Sequence, residues 1–510
     1  MRSKPQHLLG IDLGTGGCKL TLVDARGSIT GSSFTEYKTH YPFPGWSEQD
    51  PADWYQAFLV TLARLLREKG LGGSDIAALA VDASTHNAVL VGENDEVLRP
   101  CIMWTDQRSV DQVRDLEKRR GAEIFEITYN KVNPTWTLPQ LLWLREQEPG
   151  ILDRVARIFF TKDYLRYRLT GSWETDHIDA QGSMLFDGRT GQWSAELIGE
   201  LGLPLSVFPP IAPPTAVAGA ITDLAARQTG LRAGTPVMVG TSDTAVENYS
   251  AGAVNPGQGI VKLATAGNIC LMSEGPRPIA NGFNYPHGLD GMWYIMAATN
   301  SCASANRWTR DTLGKWEAEA AALSGTSPFQ LMDAEAAKTP VGAEGLFFHP
   351  YLLGERAPYF DPYLRASFVG ATMRHRRGHF FRAVLEGIAY SLRDAMQVLA
   401  ELGVPFRDLR IIGGGAKSPL WRRIVTDVIG MPVMVPRAGD ASFGSALIAG
   451  VGIGLFPDVR TAVQRCVQYE SPILPDPENH DRYSRYFAIY RKIHDQLAPV
   501  EQWIHDAFVT

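Results

Sequence analysis

The chain spells one local pattern twice. Leu8-Leu9-Gly10-Ile11-Asp12-Leu13 leads into the small-residue run Gly14-Thr15-Gly16-Gly17, and Cys18-Lys19-Leu20-Thr21-Leu22-Val23-Asp24 leads out of it. Far downstream, Gly259-Ile260-Val261-Lys262-Leu263 enters Ala264-Thr265-Ala266-Gly267, and Asn268-Ile269-Cys270-Leu271-Met272-Ser273 leaves it. Apolar runs of this length around a turn of Gly, Thr and Ala predict β-hairpins. Two of them roughly 250 residues apart predict two copies of one domain plan. Backbone N–H groups in such turns form anion-binding concavities, and small side chains let phosphate oxygens come close. Loops that open successive halves therefore point to one phosphate chain held from two sides. A single core cannot serve 510 residues, since cores stop growing at about 250–300.

Helical apolar spacing over 52–69, 381–402 and 419–429, with buried-strand patterns over 77–81 and 410–412, predicts an α/β fold with sheets covered on both faces. Pro256 and Gly257 mark the expected joint, dividing 1–254 from 255–510. With 49 Lys+Arg against 55 Asp+Glu, a net charge of −6, there is no basic footprint for nucleic acid or a membrane surface. No apolar run approaches the roughly 18–20 residues of a membrane span. Residues 1–7 show no signal-peptide core, so a cytoplasmic protein is expected. Five scattered cysteines with no C-x-x-C pair predict free thiols. His375 and His379 are spaced like metal ligands, but the intervening Arg376 and Arg377 oppose a cation, and a solvated face is expected. A P-loop is missing (Gly314-Lys315 is followed by Trp316), as are a Rossmann fingerprint and H-E-x-x-H. Any nucleotide must be held in another way.

Three features stand out. Asp12 is a carboxylate inside a buried strand, a costly position without a cation or donors beside it. Asp243 follows a strand ending at Gly240 and precedes a helix; taken alone, it reads as an N-cap. Gly413-Gly414-Gly415 joins a strand to a helix N-terminus, where planar or anionic ligands can reach the backbone. Downstream, 440–450 reads as a helix packed through small residues.

These motifs resemble the FGGY family of sugar kinases. So do Trp46-Ser47-Glu48-Gln49-Asp50-Pro51, Leu98-Arg99-Pro100-Cys101-Ile102-Met103-Trp104-Thr105-Asp106-Gln107-Arg108, Lys162-Asp163-Tyr164-Leu165-Arg166, and Tyr351-Leu352-Leu353-Gly354-Glu355-Arg356-Ala357-Pro358. The resemblance runs in order from about residue 8 to about 490 and is nearest to the xylulose-kinase branch. It implies two actin-like, ribonuclease-H-like domains flanking a catalytic cleft, and transfer of the γ-phosphoryl of ATP, with Mg²⁺, to a hydroxyl of a ketopentose, polyol or sugar acid. By the same resemblance Asp243 is the general base and Asp12 lies near the magnesium. Gly14, Thr15, Gly16, Gly17 and Lys19 form one phosphate loop, and Thr265 and Gly267 the other. Gly414, Gly415 and Ser418 lie by the adenine. Thr85, His86, Trp104 and Asp106 join Asp243 around the sugar, while Glu355 and Arg356 form a supporting ion pair. D-xylulose, giving D-xylulose 5-phosphate, is the expected acceptor, and a homodimer is the expected assembly.

Departures qualify the substrate. Thr85-His86-Asn87 stands where the xylulose branch has Met-His-Gly, and Ala264-Thr265-Ala266-Gly267 replaces Gly-Thr-Ser-Gly. Glycerol kinases carry an Arg-Glu pair at Thr85-His86 and a Tyr near Thr135, so glycerol is disfavoured. Ribulose and erythritol stay open. An actin- or chaperone-like ATPase would share both hairpins, but the His86 turn and the segment 104–108 point to a sugar.

Overall fold

The structure is a computed structural model and describes residues 7–508. The signal-sequence reading of residues 1–6 lies outside them. The first sheet holds β1 (His7–Gly14), β2 (Gly17–Asp24), β3 (Ile29–Glu36), β4 (Ile76–Ala83), β5 (Val217–Ala220), β6 (Pro236–Met238) and β7 (Thr241–Ser242). Its order is β5-β6-β4-β1-β2-β3, with β7 also on β4. The second holds β8 (Gln258–Leu263), β9 (Gly267–Glu274), β10 (Phe283–Pro286), β11 (Met292–Ala298), β12 (Asp408–Ile412) and β13 (Val433–Met434), in the order β10-β11-β9-β8-β12-β13.

Both sheets follow one plan. An antiparallel meander (β1-β2-β3; β8-β9-β11) is joined along its first strand to parallel strands (β4 and β6; β12 and β13). The duplication expected from the two hairpins is therefore a duplication of topology. The inner strands are continuously apolar because helices cover both faces: Leu8, Leu9, Ile11 and Leu13 of β1 are all buried.

The helices that position the site are α1 (Pro51–Lys69), α2 (Asp243–Ala251), α3 (Arg377–Ala400), α4 (Pro419–Ile429), α5 (Ala441–Gly452) and α6 (Pro477–Phe508). Local chemistry sets their ends. Asp50 caps α1 through the Ala52 N–H, Pro51 opens it, and Gly70 closes it in the left-handed region at φ 65°. Helix α5 crosses the division expected at 254/255, for it lies on the first sheet. Thr21 and Ser442 share a hydroxyl hydrogen bond of 2.7 Å, and Ser445 Oγ donates to Asp82 Oδ2 at 2.5 Å.

That approach is as close as backbones permit. A Cβ on Gly10 would lie 1.7 Å from the Ser442 carbonyl oxygen, and one on Gly444 would lie 2.1 Å from that of Val246. Gly10→Ala is therefore expected to destabilise the protein by about 3 kcal/mol or more, because neither backbone can yield. Thermal melting checks it; an unchanged Tm would contradict this packing. Among the described residues no helix is long and apolar enough to cross a membrane.

Candidate active site

Two spaces are lined by residues of both halves of the chain, and a third adjoins them within the second half. The first is a cavity of about 310 Å³. The first half contributes Thr15, Thr85, His86, Trp104, Thr135 and Asp243; the second contributes Lys262, Thr265, Asn268, Tyr285 and Arg356. A second space, about 630 Å³, is lined by Asp12, Lys19, Glu247, Gly413, Gly414 and Asp440. A third, about 390 Å³ and more apolar, lies between Asn306, Phe329, Gly414, Gly415, Ser418 and Trp421. Gly414 borders both the second and the third. An ion pair from Lys262 in the first to Glu247 in the second joins those two.

The side chains reach these places through local constraints. Ser242, not Asp243, caps α2, its hydroxyl accepting from Ala245 N–H at 3.3 Å. Asp243 is thus freed to face the first cavity; Thr244 N–H and Oγ1–H donate to its Oδ1 at 2.6 and 3.2 Å. His86 adopts φ 59°, a strained value for a non-glycine residue. Asp179 Oδ1 holds it by accepting its N–H at 2.9 Å, and Thr137 Oγ1 donates to its carbonyl at 2.6 Å. Trp104 Nε1–H donates to Thr15 Oγ1 at 3.0 Å, which fixes the first hairpin turn. The second turn is anchored at the start of the helix Ala303–Thr312, whose Ser304 N–H and Oγ donate to the Thr265 carbonyl at 3.2 and 2.8 Å.

Two family descriptions match in sequence order. Residues 7–249 match the N-terminal domain of the FGGY family of carbohydrate kinases, and residues 267–453 match its C-terminal domain. The chain belongs to the FGGY family of carbohydrate kinases. It is 32% identical to the xylulose kinase of Escherichia coli K12 over 96% of this chain and 99% of the relative. It is 29% identical to the gluconokinase of Bacillus subtilis over 87% of each. The crystal structure of xylulose kinase from Rhodospirillum rubrum superposes with a TM-score of 0.88 at 29% identity, covering 98% of this chain and all of that one (100%). The two-domain actin-like architecture expected from the sequence is the one this kinase has.

The electrostatics of the kinase cleft are dominated by carboxylates. Asp12 and Asp82 are register partners on the parallel strands β1 and β4. Burial, then repulsion from Asp243, Glu247 and Asp440, pushes Asp12 up to about 8, with Lys19 opposing. Burial, then Asp12, holds Asp82 well above the carboxylate range, against the Ser445 hydrogen bond. Burial also raises Asp243 and Glu247, each opposed by Lys262. Asp82 Oδ1 is buried without a hydrogen-bond partner. His86 is driven down to about 3 by burial, so its ring is neutral, and its Nδ1 is buried without a partner.

Several expectations are corrected. Asp106 does not line the cavity. It is fully buried and accepts from Ser47 N–H (2.6 Å) and from Arg108 N–H, Nε and Nη2 (2.8, 2.9 and 2.8 Å), so it braces a loop. Glu355 and Arg356 are sequence neighbours but form no ion pair. Glu355 Oε1 accepts from Asn300 and Arg356 N–H, each at 2.7 Å, while the Arg356 guanidinium donates to the Thr299 carbonyl at 3.0 Å and enters the cavity. Gly17 is a packing residue, since a Cβ there would meet Thr35 O at 2.5 Å. Within the triple glycine, Gly413 carries the constraint: φ is 93°, and a Cβ would meet Leu263 O at 2.6 Å. Gly414 is open, and Gly415 packs on the Trp421 ring. Ser418 caps α4 through Trp421 N–H at 3.0 Å. His375 and His379 are less solvated than expected, for their Nδ1 atoms accept from Thr372 and Arg376 N–H at 2.8 and 3.0 Å. All five cysteines are free and buried.

Sequence reading passed over Asp82, Glu247 and Lys262 as site residues, and gave Arg356 a supporting ion pair instead of a place in the cavity. A signal existed for the first three. Asp82 and Lys262 are charges inside apolar strands, as Asp12 is, and Glu247 follows Asp243 by one helical turn.

Proposed function

We propose that this kinase transfers the γ-phosphoryl group of ATP to a hydroxyl of a ketopentose, with D-xylulose as the first acceptor and D-xylulose 5-phosphate as the product. The observation that carries the reading is the placement of Asp243: a carboxylate at a helix start, facing an acceptor-sized cavity that opens beside the Asp12 space. The acceptor hydroxyl gives its proton to Asp243 as its oxygen attacks the γ-phosphorus. Holding the two in line supplies about 7–11 kcal/mol, and base assistance about 10²–10⁴-fold more. Neutral His86, with its free Nδ1, orients a second hydroxyl, and Thr85 and Trp104 complete that wall. The turns at Gly14–Gly17 and Thr265–Gly267 hold the phosphates together with Lys19. Gly414, Gly415 and Ser418 border the adenine.

Mg²⁺ fits this cleft. The excess of carboxylates around Asp12 and the orphaned Asp82 Oδ1 call for a cation. Among the described residues no three His, Cys, Asp or Glu side chains are grouped to hold a metal. Mg²⁺ takes one or two protein carboxylates and otherwise phosphate and water oxygens. Asp12 would hold it; when bound, Mg²⁺ neutralises phosphate charge. A cytoplasmic setting is part of the proposal and rests on the five free thiols.

The test is ADP release with D-xylulose, D-ribulose, L-ribulose, erythritol, glycerol and gluconate. Strong stimulation by D-xylulose is expected, and equal ADP release with and without any acceptor would sink the reading. Gluconate is the second reading, because the Arg356 Nε is buried without a partner in the cavity wall and would suit a carboxylate. His86→Ala should raise the acceptor KM about tenfold while the ATP KM moves less than about twofold. Parallel changes in both would place His86 outside the acceptor site.

A further inference from the structure

The two hairpins are equivalent in topology and opposite in charge. Three residues before the turn threonine stands Asp12 in the first and Lys262 in the second. Asp12 faces Lys19 across its hairpin, and Lys262 faces Asn268. Asp12 lines the space that also holds Glu247, whereas Lys262 lines the cavity that holds Asp243. The Lys262–Glu247 ion pair, with side chains 20% and 17% exposed, stands where the two spaces meet.

We propose that Lys262 is the cation that binds the γ-phosphoryl group, exchanging Glu247 for it when nucleotide enters. This rests on the phosphoryl-transfer reading above. A phosphoryl group passing between the two spaces must cross the Asp243–Glu247 face of α2, where two carboxylates lie one turn apart. Lys19 lines the second space, beside Asp440 at 3.0 Å, and Arg356 lines the first cavity together with Tyr285. Lys262 is the ammonium at the crossing. In the transfer the acceptor O–H bond breaks and its proton goes to Asp243. The new O–P bond forms as the bond from the γ-phosphorus to the bridging oxygen breaks, and that electron pair leaves on ADP. Lys262 gives up no proton; it offsets charge spread over the equatorial oxygens.

The experiment is calorimetric binding of ADP and of the β,γ-methylene analogue of ATP, each with Mg²⁺, to the wild type, Lys262→Gln, Lys262→Arg and Glu247→Gln. Lys262→Gln is expected to weaken the triphosphate analogue about tenfold and ADP less than about twofold. Its turnover should fall about 10²-fold, with partial rescue in Lys262→Arg. A purely structural ion pair would shift both nucleotides together or neither, and either result overturns the proposal. Should Lys262→Gln fail to fold, Glu247→Gln decides. Its preference for the analogue over ADP should rise, and an unchanged or lower preference overturns the proposal. A wild type that shows no acceptor-stimulated ADP release fails the underlying reading instead, and this proposal with it.

Discussion

Asp243→Asn is expected to lower kcat by about 10³-fold while leaving the affinity for ATP within about twofold. The substitution keeps the size and the Oδ1 acceptor that Thr244 N–H uses, so α2 stays capped by Ser242 and folding is spared. What it removes is the proton acceptor. Burial has already lifted Asp243 above the ordinary carboxylate range, and Lys262 holds it back toward the ionised form. The acidic limb of kcat/KM in the wild type should therefore lie above about pH 4 and vanish in the variant. Steady-state kinetics with saturating acceptor across pH checks both statements. A variant retaining a third of the wild-type rate would return Asp243 to a structural role at the start of α2.

Asp12→Asn is expected to do two opposite things: cut turnover by about 10²–10³-fold and raise the stability of the nucleotide-free protein. The sign follows from linkage. Burial and the neighbouring carboxylates push Asp12 up to about 8 in the folded state, against about 4 for a free Asp side chain. The folded protein therefore keeps this proton over a range in which the unfolded chain has lost it. The wild type loses stability through this group as pH rises from about 4 to about 8. Asn carries no charge and escapes that loss, so its Tm advantage should grow between about pH 5.5 and about pH 8.5, by about 1 °C for each kcal/mol relieved in a chain of 510 residues. Adding MgATP should stabilise the wild type more than the variant. An Asp12→Asn protein that melts lower than the wild type at both pH values would refute the account of a strained carboxylate cluster.

The mutual repulsion of the cleft carboxylates is the feature that makes the cleft receptive to a cation. Asp12, Asp82, Asp243, Glu247 and Asp440 converge on a region where Lys19 and Lys262 are the opposing ammonium groups. Asp440 pairs with Lys19 and Glu247 with Lys262.

Residues whose environment is set by their immediate neighbours were the legible ones. Asp12 betrayed itself as a charge within Leu9-Gly10-Ile11-Asp12-Leu13, and the spans of α1 and α4 followed from the helical apolar spacing over 52–69 and 419–429. Asp106 was placed at the sugar by resemblance alone, and Ser47, a residue far away in sequence, donates to it instead. Asp243 misled in the opposite direction: Ser242 and Asp243 are both good caps, and only the backbone path decides which of them turns inward. Arg356 was paired on paper with its neighbour Glu355, but successive residues on an extended segment point apart, and the guanidinium went to the cavity.

The repeated hairpins, the alternation of helices and strands, the charge of Asp12 within an apolar strand and the glycine-lined turns are all legible in short stretches of sequence, because local sterics and side-chain periodicity enforce them. The packing of α5 on the first sheet, which presents Ser445 to Asp82, is legible only in three dimensions. Only there did Lys262 meet Glu247 and Asp106 become saturated. Those outcomes depend on contacts between residues 15, 59 and 363 positions apart, where the packing of whole elements, rather than any local preference, sets which charges share a low-dielectric space.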